Sequence, residues 1–345
     1  MNVRVHPAAS PIDGSVANYT EMLVAAVSAW TARHSGSVPA ARCAVTFFPA
    51  VTPAAAECSE PSIVAVHHVQ HRLQPHFEEF AVPAAWNLLE GAHRRIASRA
   101  TMVVAESATG RADLLDAYGP YGLTPDRIMV VPYTVPQWMH AEPLETAAAR
   151  VRLRYRLPDR FLFYPAQFLP HRNHAVLIDA LGTLARRYNL RPLLVLAGEQ
   201  KGGIRAHTSD HVRETARRAG VADQVRSLGF IPNADVAGLH AAADVMAVPG
   251  CLGPSSLAIL EAWSAGTPVL ASNTRGIREM CEGAASLVDP GTAEDMSQEI
   301  RALWTDADRR AELVRRGSER LTRFSADAFR AAVGQVLDRT RAMIG

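Results

Sequence analysis

Cysteine is scarce in this chain, and its four residues, Cys43, Cys58, Cys251 and Cys281, form no C-x-x-C pair. That spacing argues against a disulfide framework and a zinc site, and it fits a reducing cytoplasm. Lysine is scarcer still: Lys201 stands alone, and every other residue counted as Lys or Arg is an arginine. With the many alanines, this reflects coding bias more than chemistry. No apolar run reaches about 18 residues, which excludes a membrane-spanning helix. The opening MNVRVHPAASP lacks the basic-then-apolar pattern of a signal peptide. The formal net charge is only +2, so no nucleic-acid partner is expected. G-x-G-x-x-G and G-x-x-x-x-G-K-[ST] are both missing, which disfavours a dinucleotide dehydrogenase and a P-loop NTPase.

What the chain does have is alternation. At 345 residues it is long enough for about two domains. In the second half, short apolar runs alternate with amphipathic stretches. RFLFYPA (160–166), PLLVLAG (192–198), VRSLGFI (225–231), DVMAVPG (244–250), TPVLAS (267–272) and AASLVDP (284–290) read as strands. Helices fall at about 174–188 with Asn173 as cap, 208–220, 234–243 and 255–266, the last closed by Gly266. Thr292 with Asp295, and Thr305 with Asp308, look like capping pairs. The first half repeats the pattern with strands at 2–6, 42–48, 62–68, 101–107 and 127–133. Residues 134–150 read as a linker. Strands apolar on both faces, separated by helices, predict α/β architecture with parallel, doubly wound sheets. Residues 1–150 hold about 10 basic and 13 acidic groups, so the second half carries the basic excess. An anion site there and a solvated arginine-rich surface both fit that asymmetry.

Five segments carry a specific resemblance: HHVQHRLQPHF, FLFYPAQFLPHRNHAVLIDAL, LGFIPNADVAGLHAAADVMAVPG, GPSSLAILEAWSAGTPVLAS and NTRGIREMCEGAASLVDP. In this order and spacing they resemble glycosyltransferase family four, the retaining group 1 glycosyltransferases of the GT-B fold. The resemblance implies two Rossmann-like domains facing across a cleft. These are an acceptor-side domain at 1–145, a donor-binding domain at 151–324, and a helix at 325–345 that packs back on the first. It implies catalytic roles for His67 and Arg172. Donor contacts would come from Gly14, Gln167, Arg172, Phe230, Ile231, Gly253, Ser255, Ser256, Leu257, Ala258 and Glu261. Of these, Arg172 would meet the diphosphate, Glu261 the ribose, and Phe230 with the main chain of Ile231 the base. Leu257 and Ala258 would offer amides to phosphate at a helix tip.

Three departures stand out. Gln167 replaces a family arginine, Gly253 replaces the first of two glutamates eight positions apart, and His68 replaces an aspartate. Bland alternatives stay open at each position: a surface arginine at 172, a structural histidine at 67, core residues at 230 and 231, and a turn glycine at 14. The cluster His67, His68, His71 and His76 has no partner carboxylate pattern for a metal. Asp306-Ala307-Asp308 reads as a helix cap, and no metal or other cofactor is expected. The expected function is transfer of a sugar from a nucleotide-diphosphate sugar to an acceptor hydroxyl, with retention and without metal. The rival is a catalytically impaired GT-B protein that binds sugar nucleotide or a partner. Peripheral membrane contact through His93, Arg94, Arg95 and Arg99 is a less favoured reading than a solvated face.

Overall fold

A computed structural model describes residues 1–7, 14–34, 44–251, 253 and 255–345. Cys43, considered above, lies outside the described residues. The chain forms two compact units. The first comprises Met1–His76, Phe80–Thr134 and Arg323–Gly345; the second comprises Phe77–Glu79 and Val135–Thr322.

In chain order the elements up to residue 130 are β1 (Asn2–Val5), α1 (Gly14–His34), β2 (Ala44–Phe48), α2 (Pro53–Glu57), β3 (Ser62–Ala65), α3 (Gln70–Leu73), α4 (Glu78–Ala81), α5 (Pro83–Arg99), β4 (Met102–Ala105), α6 (Ala108–Tyr118) and β5 (Ile128–Val130). The five strands of the first unit pair in parallel in the order β1-β2-β3-β4-β5. β3 and β4 are buried along their whole length, as parallel strands covered on both faces must be. One face packs Phe48, Val64 and Val103 against Ala55, Ile96 and Leu114 of α2, α5 and α6. The chain's last helix, Ala326–Ile344, is capped by Ser325 and belongs to this unit. Its Phe329 meets the Tyr19 ring of α1 edge-on, and Asp338 accepts from Trp30 Nε1 at 3.1 Å.

The second unit follows with α7 (Leu144–Tyr155), β6 (Phe161–Pro165), α8 (His174–Tyr188), β7 (Leu193–Ala197), α9 (Gly203–Arg218), β8 (Val225–Ser227), α10 (Asn233–Ala242), β9 (Val245–Val248), α11 (Leu257–Ser264), β10 (Val269–Ser272), α12 (Arg275–Cys281), β11 (Ser286–Val288), α13 (Ala293–Thr305) and α14 (Ala307–Leu321); the terminal helix is α15. Its parallel sheet runs β11-β10-β9-β6-β7-β8. Strand order reverses between β6 and β9, so this sheet is doubly wound and has a topological switch point there. One face buries Leu162, Leu194 and Leu270 under α8, α9 and α13. The other buries Phe161, Phe163 and Val195 under α7 and α10.

Four local expectations change. Residues 134–150 are not a bare linker: α7 begins at Leu144 and packs on α10. That contact needs Gly238, where a Cβ would stand 2.6 Å from Ala147 O. The strand read as 225–231 ends at Ser227, because Gly229 at φ 72° turns the chain away. Asn173 precedes α8 but does not cap it with its side chain. The cap of α14 is Asp306, which accepts from Arg309 N at 2.8 Å, not Thr305.

Candidate donor site at the switch point of the second unit

The carboxyl ends of the second unit's strands are tied loop to loop. Gly198 N, after β7, donates to Gly229 O, after β8, at 2.9 Å. Ala166 N, after β6, donates to Ala197 O at 2.8 Å. Cys251 N, after β9, donates to His171 O at 2.9 Å. The Asn173 amide donates to Pro249 O at 3.1 Å and to Pro290 O at 2.8 Å, joining the loops after β6, β9 and β11. Asn173 can do this because it sits at φ 56°, a conformation its short polar side chain tolerates. From β8 to β9 this rim spans three strand spacings, about 14 Å.

Arg172 lies in the middle of the rim, in the short turn Pro170–Arg172. Its carbonyl accepts from the buried Tyr164 hydroxyl at 2.8 Å, which fixes the turn. Its Nε is buried and meets no acceptor among the described residues. Next to it, His174 lies between the Tyr164 and Phe168 rings. Burial, then the Arg172 charge, pushes His174 down to about 3, so this ring adds no charge at pH 7. His171, also held down by burial, faces Glu79, which accepts from both its ring and its backbone N–H.

At one end of the rim a cleft of about 550 Å³ opens between the loops after β7 and β8 and the start of α9. Glu199, Lys201, Arg213 and Phe230 are among its lining residues. Phe230 is 72% exposed, a large ring held out at the cleft. Ile231, by contrast, turns its side chain into the core beside Phe163 and Leu239, leaving only its main chain for a ligand. Glu199 accepts from the backbone N–H groups of Lys201 and Gln200, which hold its carboxyl below the usual range.

Beyond β9, Ser256 precedes α11 with extended backbone but its side chain caps nothing. Ile259 N donates to Ser256 O at 3.2 Å, while the amides of Leu257 and Ala258 at the start of α11 have no intrahelical partner. Ser256 N itself points at Met280 Sδ, 3.4 Å away, and Ser255 lies on the same approach to the helix. Gly253 adopts φ 119°, a conformation closed to a side chain without strain. A glutamate at 253 would not fit this backbone as it stands. Glu261 is buried on α11, and its Oε2 lies 3.4 Å from Nε2 of the fully buried His240 on α10. The two groups are within ion-pair distance, but neither ring nitrogen of His240 makes a hydrogen bond among the described residues.

In the first unit lies His67. Its Nδ1 donates to Glu106 at 2.5 Å and its Nε2 to Pro49 O at 2.7 Å. Tyr133 donates to the same carboxylate. The Tyr133 hydroxyl also lies 2.9 Å from Nδ1, so both ring nitrogens are engaged within the unit. A contact from His67 to a sugar or phosphate would have to replace one of these hydrogen bonds. Gly14 is not a loop residue but the first residue of α1. His71 turns away from His67 to Glu90, 3.2 Å away. Among the described residues no three His, Cys, Asp or Glu side chains gather as a metal would require. Also among them, no helix is long and apolar enough to cross a membrane.

Sequence reasoning missed Arg205. It lies in the first turn of α9, which begins five residues before the expected start, and donates to Gln167 Oε1. The pair Gly202-Gly203, at φ 81° and 50°, was the available signal for that earlier start.

A doubly wound sheet with cationic, amide-rich loops at its switch point, paired with a second parallel unit, defines a Rossmann-like protein of the GT-B fold. The chain belongs to the group 1 glycosyl transferases, whose family model matches residues 147–320. It is 28% identical over 261 residues to D-inositol 3-phosphate glycosyltransferase of Kineococcus radiotolerans, covering 71% of this chain and 59% of that one. It is 28% identical over 258 residues to the GDP-mannose-dependent alpha-(1-6)-phosphatidylinositol monomannoside mannosyltransferase of Mycobacterium tuberculosis, covering 69% and 62%. The matches thus span about three fifths of these relatives' length. The fold matches Anabaena Alr3699/HepE, crystallised with UDP-glucose, at TM-score 0.75 and 17% identity over 97% of this chain and 98% of that one.

Proposed function

We propose that the chain transfers a sugar from a nucleotide-diphosphate sugar to an acceptor hydroxyl, with retention at the anomeric carbon and without a metal. The observation that carries this is Arg172. Its Nε is buried without an acceptor among the described residues, in the loop after β6 at the switch point, where an anion is the fitting partner. The cleft with Phe230 at its edge supports a base at one end of the rim. The uncapped tip of α11 supports the phosphates and sugar near the other. The UDP-glucose of the Anabaena protein and the GDP-mannose of the mycobacterial relative's name agree with this donor class.

Chemically, the bond from the anomeric carbon to the leaving phosphate oxygen breaks. The acceptor oxygen bonds to that carbon on the same face, and the acceptor proton passes to the departing phosphate. Arg172 and the α11 amides stabilise the charge that develops on the phosphate. The chain supplies position and electrostatics.

Thermal shift with UDP-, GDP- and dTDP-sugars tests the reading. At a hundredfold excess over Kd the true donor adds about 2.7 kcal/mol, or roughly 5–10 °C for a unit of this size. Arg172→Ala should lose most of that shift, and Glu261→Ala part of it. No shift with any donor, or an Arg172→Ala response equal to the parent's, overturns the proposal. With the donor known, the anomeric configuration of the product by NMR tests retention.

A further inference from the structure

Gln167 sits on the rim where the loop after β6 begins. Its side-chain oxygen accepts from Arg205 twice, from Nε at 3.3 Å and from Nη2 at 3.1 Å. One acceptor on two donors fixes the plane of the guanidinium. An arginine has five N–H donors, so three remain uncommitted. Arg205 is half-buried and forms no ion pair among the described residues. Glu199, whose carboxyl feels the Arg205 charge, accepts from its own loop amides at 2.8 and 2.9 Å. Other half-buried arginines of this unit meet carboxylates, as Arg150 does with Asp235 and Glu142 and Arg320 with Glu282, or backbone carbonyls, as Arg226 does with Tyr155 O and Arg156 O at 2.9 Å. Arg205 instead rests on a neutral amide, which orients its charge without cancelling any of it.

Position gives that charge a use. Ala206, the next residue, lines the cleft, while Gln167 begins the loop that ends in Arg172. A ligand reaching from the cleft to Arg172 crosses the end of β6, where Gln167 holds Arg205. We infer that Arg205 is a second diphosphate-binding residue, positioned by Gln167, and that it acts with Arg172 on the two phosphoryl groups of the donor. The inference rests on the donor reading above and adds a residue and a division of labour to it. Gln167 thereby brings to the rim a charge that its own side chain lacks.

The test is isothermal titration of the full chain with UDP, GDP and dTDP, each beside its own nucleoside, for the parent, Arg205→Gln, Gln167→Glu and Gln167→Leu. A lost charge-assisted hydrogen bond should weaken nucleoside diphosphate binding about 10- to 100-fold in Arg205→Gln, with nucleoside binding unchanged. Gln167→Glu puts a carboxylate on Arg205 and should weaken the diphosphate comparably while leaving the protein folded. Gln167→Leu should weaken it less, because the charge stays and only its orientation is lost. The salt dependence of diphosphate binding should be shallower in Arg205→Gln, a change that loss of packing does not produce. Diphosphate affinity equal to the parent's in Arg205→Gln, or equal losses for diphosphate and nucleoside, overturns the inference while the donor reading stands. A parent that binds none of the three diphosphates overturns both.

Discussion

At Gly198 the loop after β7 packs directly on the backbone of the loop after β6. A Cβ built there would lie 2.0 Å from Ala166 O, 2.5 Å from Ala166 C and 2.9 Å from Gln167 N. Those are backbone atoms of the loop that carries Gln167 and Arg172, so no flexible side chain can yield. Gly198→Ala must therefore push this loop outward. That movement strains the hydrogen bonds from Gly198 N to Gly229 O and from Ala166 N to Ala197 O. Overpacking of this kind costs about 1–3 kcal/mol, or roughly 3–10 °C in the melting temperature of a unit of this size. The same displacement separates Gln167 from Arg205. Nucleotide binding should then fall by more than the stability loss explains, since the variant is still folded at 25 °C. Urea unfolding and titration with the nucleoside diphosphate measure the two effects separately. Gly119→Ala is the control: its Cβ meets nothing within 4 Å, and a lost glycine at an unstrained position is neutral or mildly stabilising. If Gly198→Ala melts within about 1 °C of the parent, Gly198 does not pack against the loop after β6.

Two further outcomes concern the hidden polar groups. Glu90, 3% exposed, accepts from Arg72 Nε at 2.9 Å, Arg94 Nε at 2.6 Å and the Tyr118 hydroxyl at 2.9 Å. Glu90→Ala strands these donors and should cost about 3–5 kcal/mol in urea unfolding; a loss under about 1 kcal/mol, an ordinary surface effect, would falsify the network's role. The second is a pH effect. Burial holds His93 down to about 4 and His174 down to about 3, while in the unfolded chain each takes a proton near 6.5. Both rings are neutral in the fold, so their contribution is whole above about pH 6.5 and declines as pH falls toward their folded values. Each should remove about 2 kcal/mol between pH 7 and pH 5. Urea midpoints at the two pH values check this, and a midpoint that does not move between them contradicts the burial argument.

The strands were legible because parallel strands buried on both faces are written as plain apolar runs, and RFLFYPA and PLLVLAG became β6 and β7 in register. The family and the loop around Arg172 were legible because the switch point gathers chemistry into short contiguous segments. Helix α7 was not, since it buries only the narrow strip Ala147, Ala148 and Val151. The hydrogen bonds of His67 were not legible because its partners, Glu106 and the Pro49 carbonyl, are distant in sequence. The sequence by itself determined the alternation, the parallel sheets and the position of the basic rim, all of which depend on neighbours along the chain. Only the tertiary structure decided which charges are spent and which are free. Whether an arginine meets a carboxylate, as Arg150 meets Asp235 across 84 intervening positions, or an amide, as Arg205 meets Gln167, is fixed by loops that packing alone brings together.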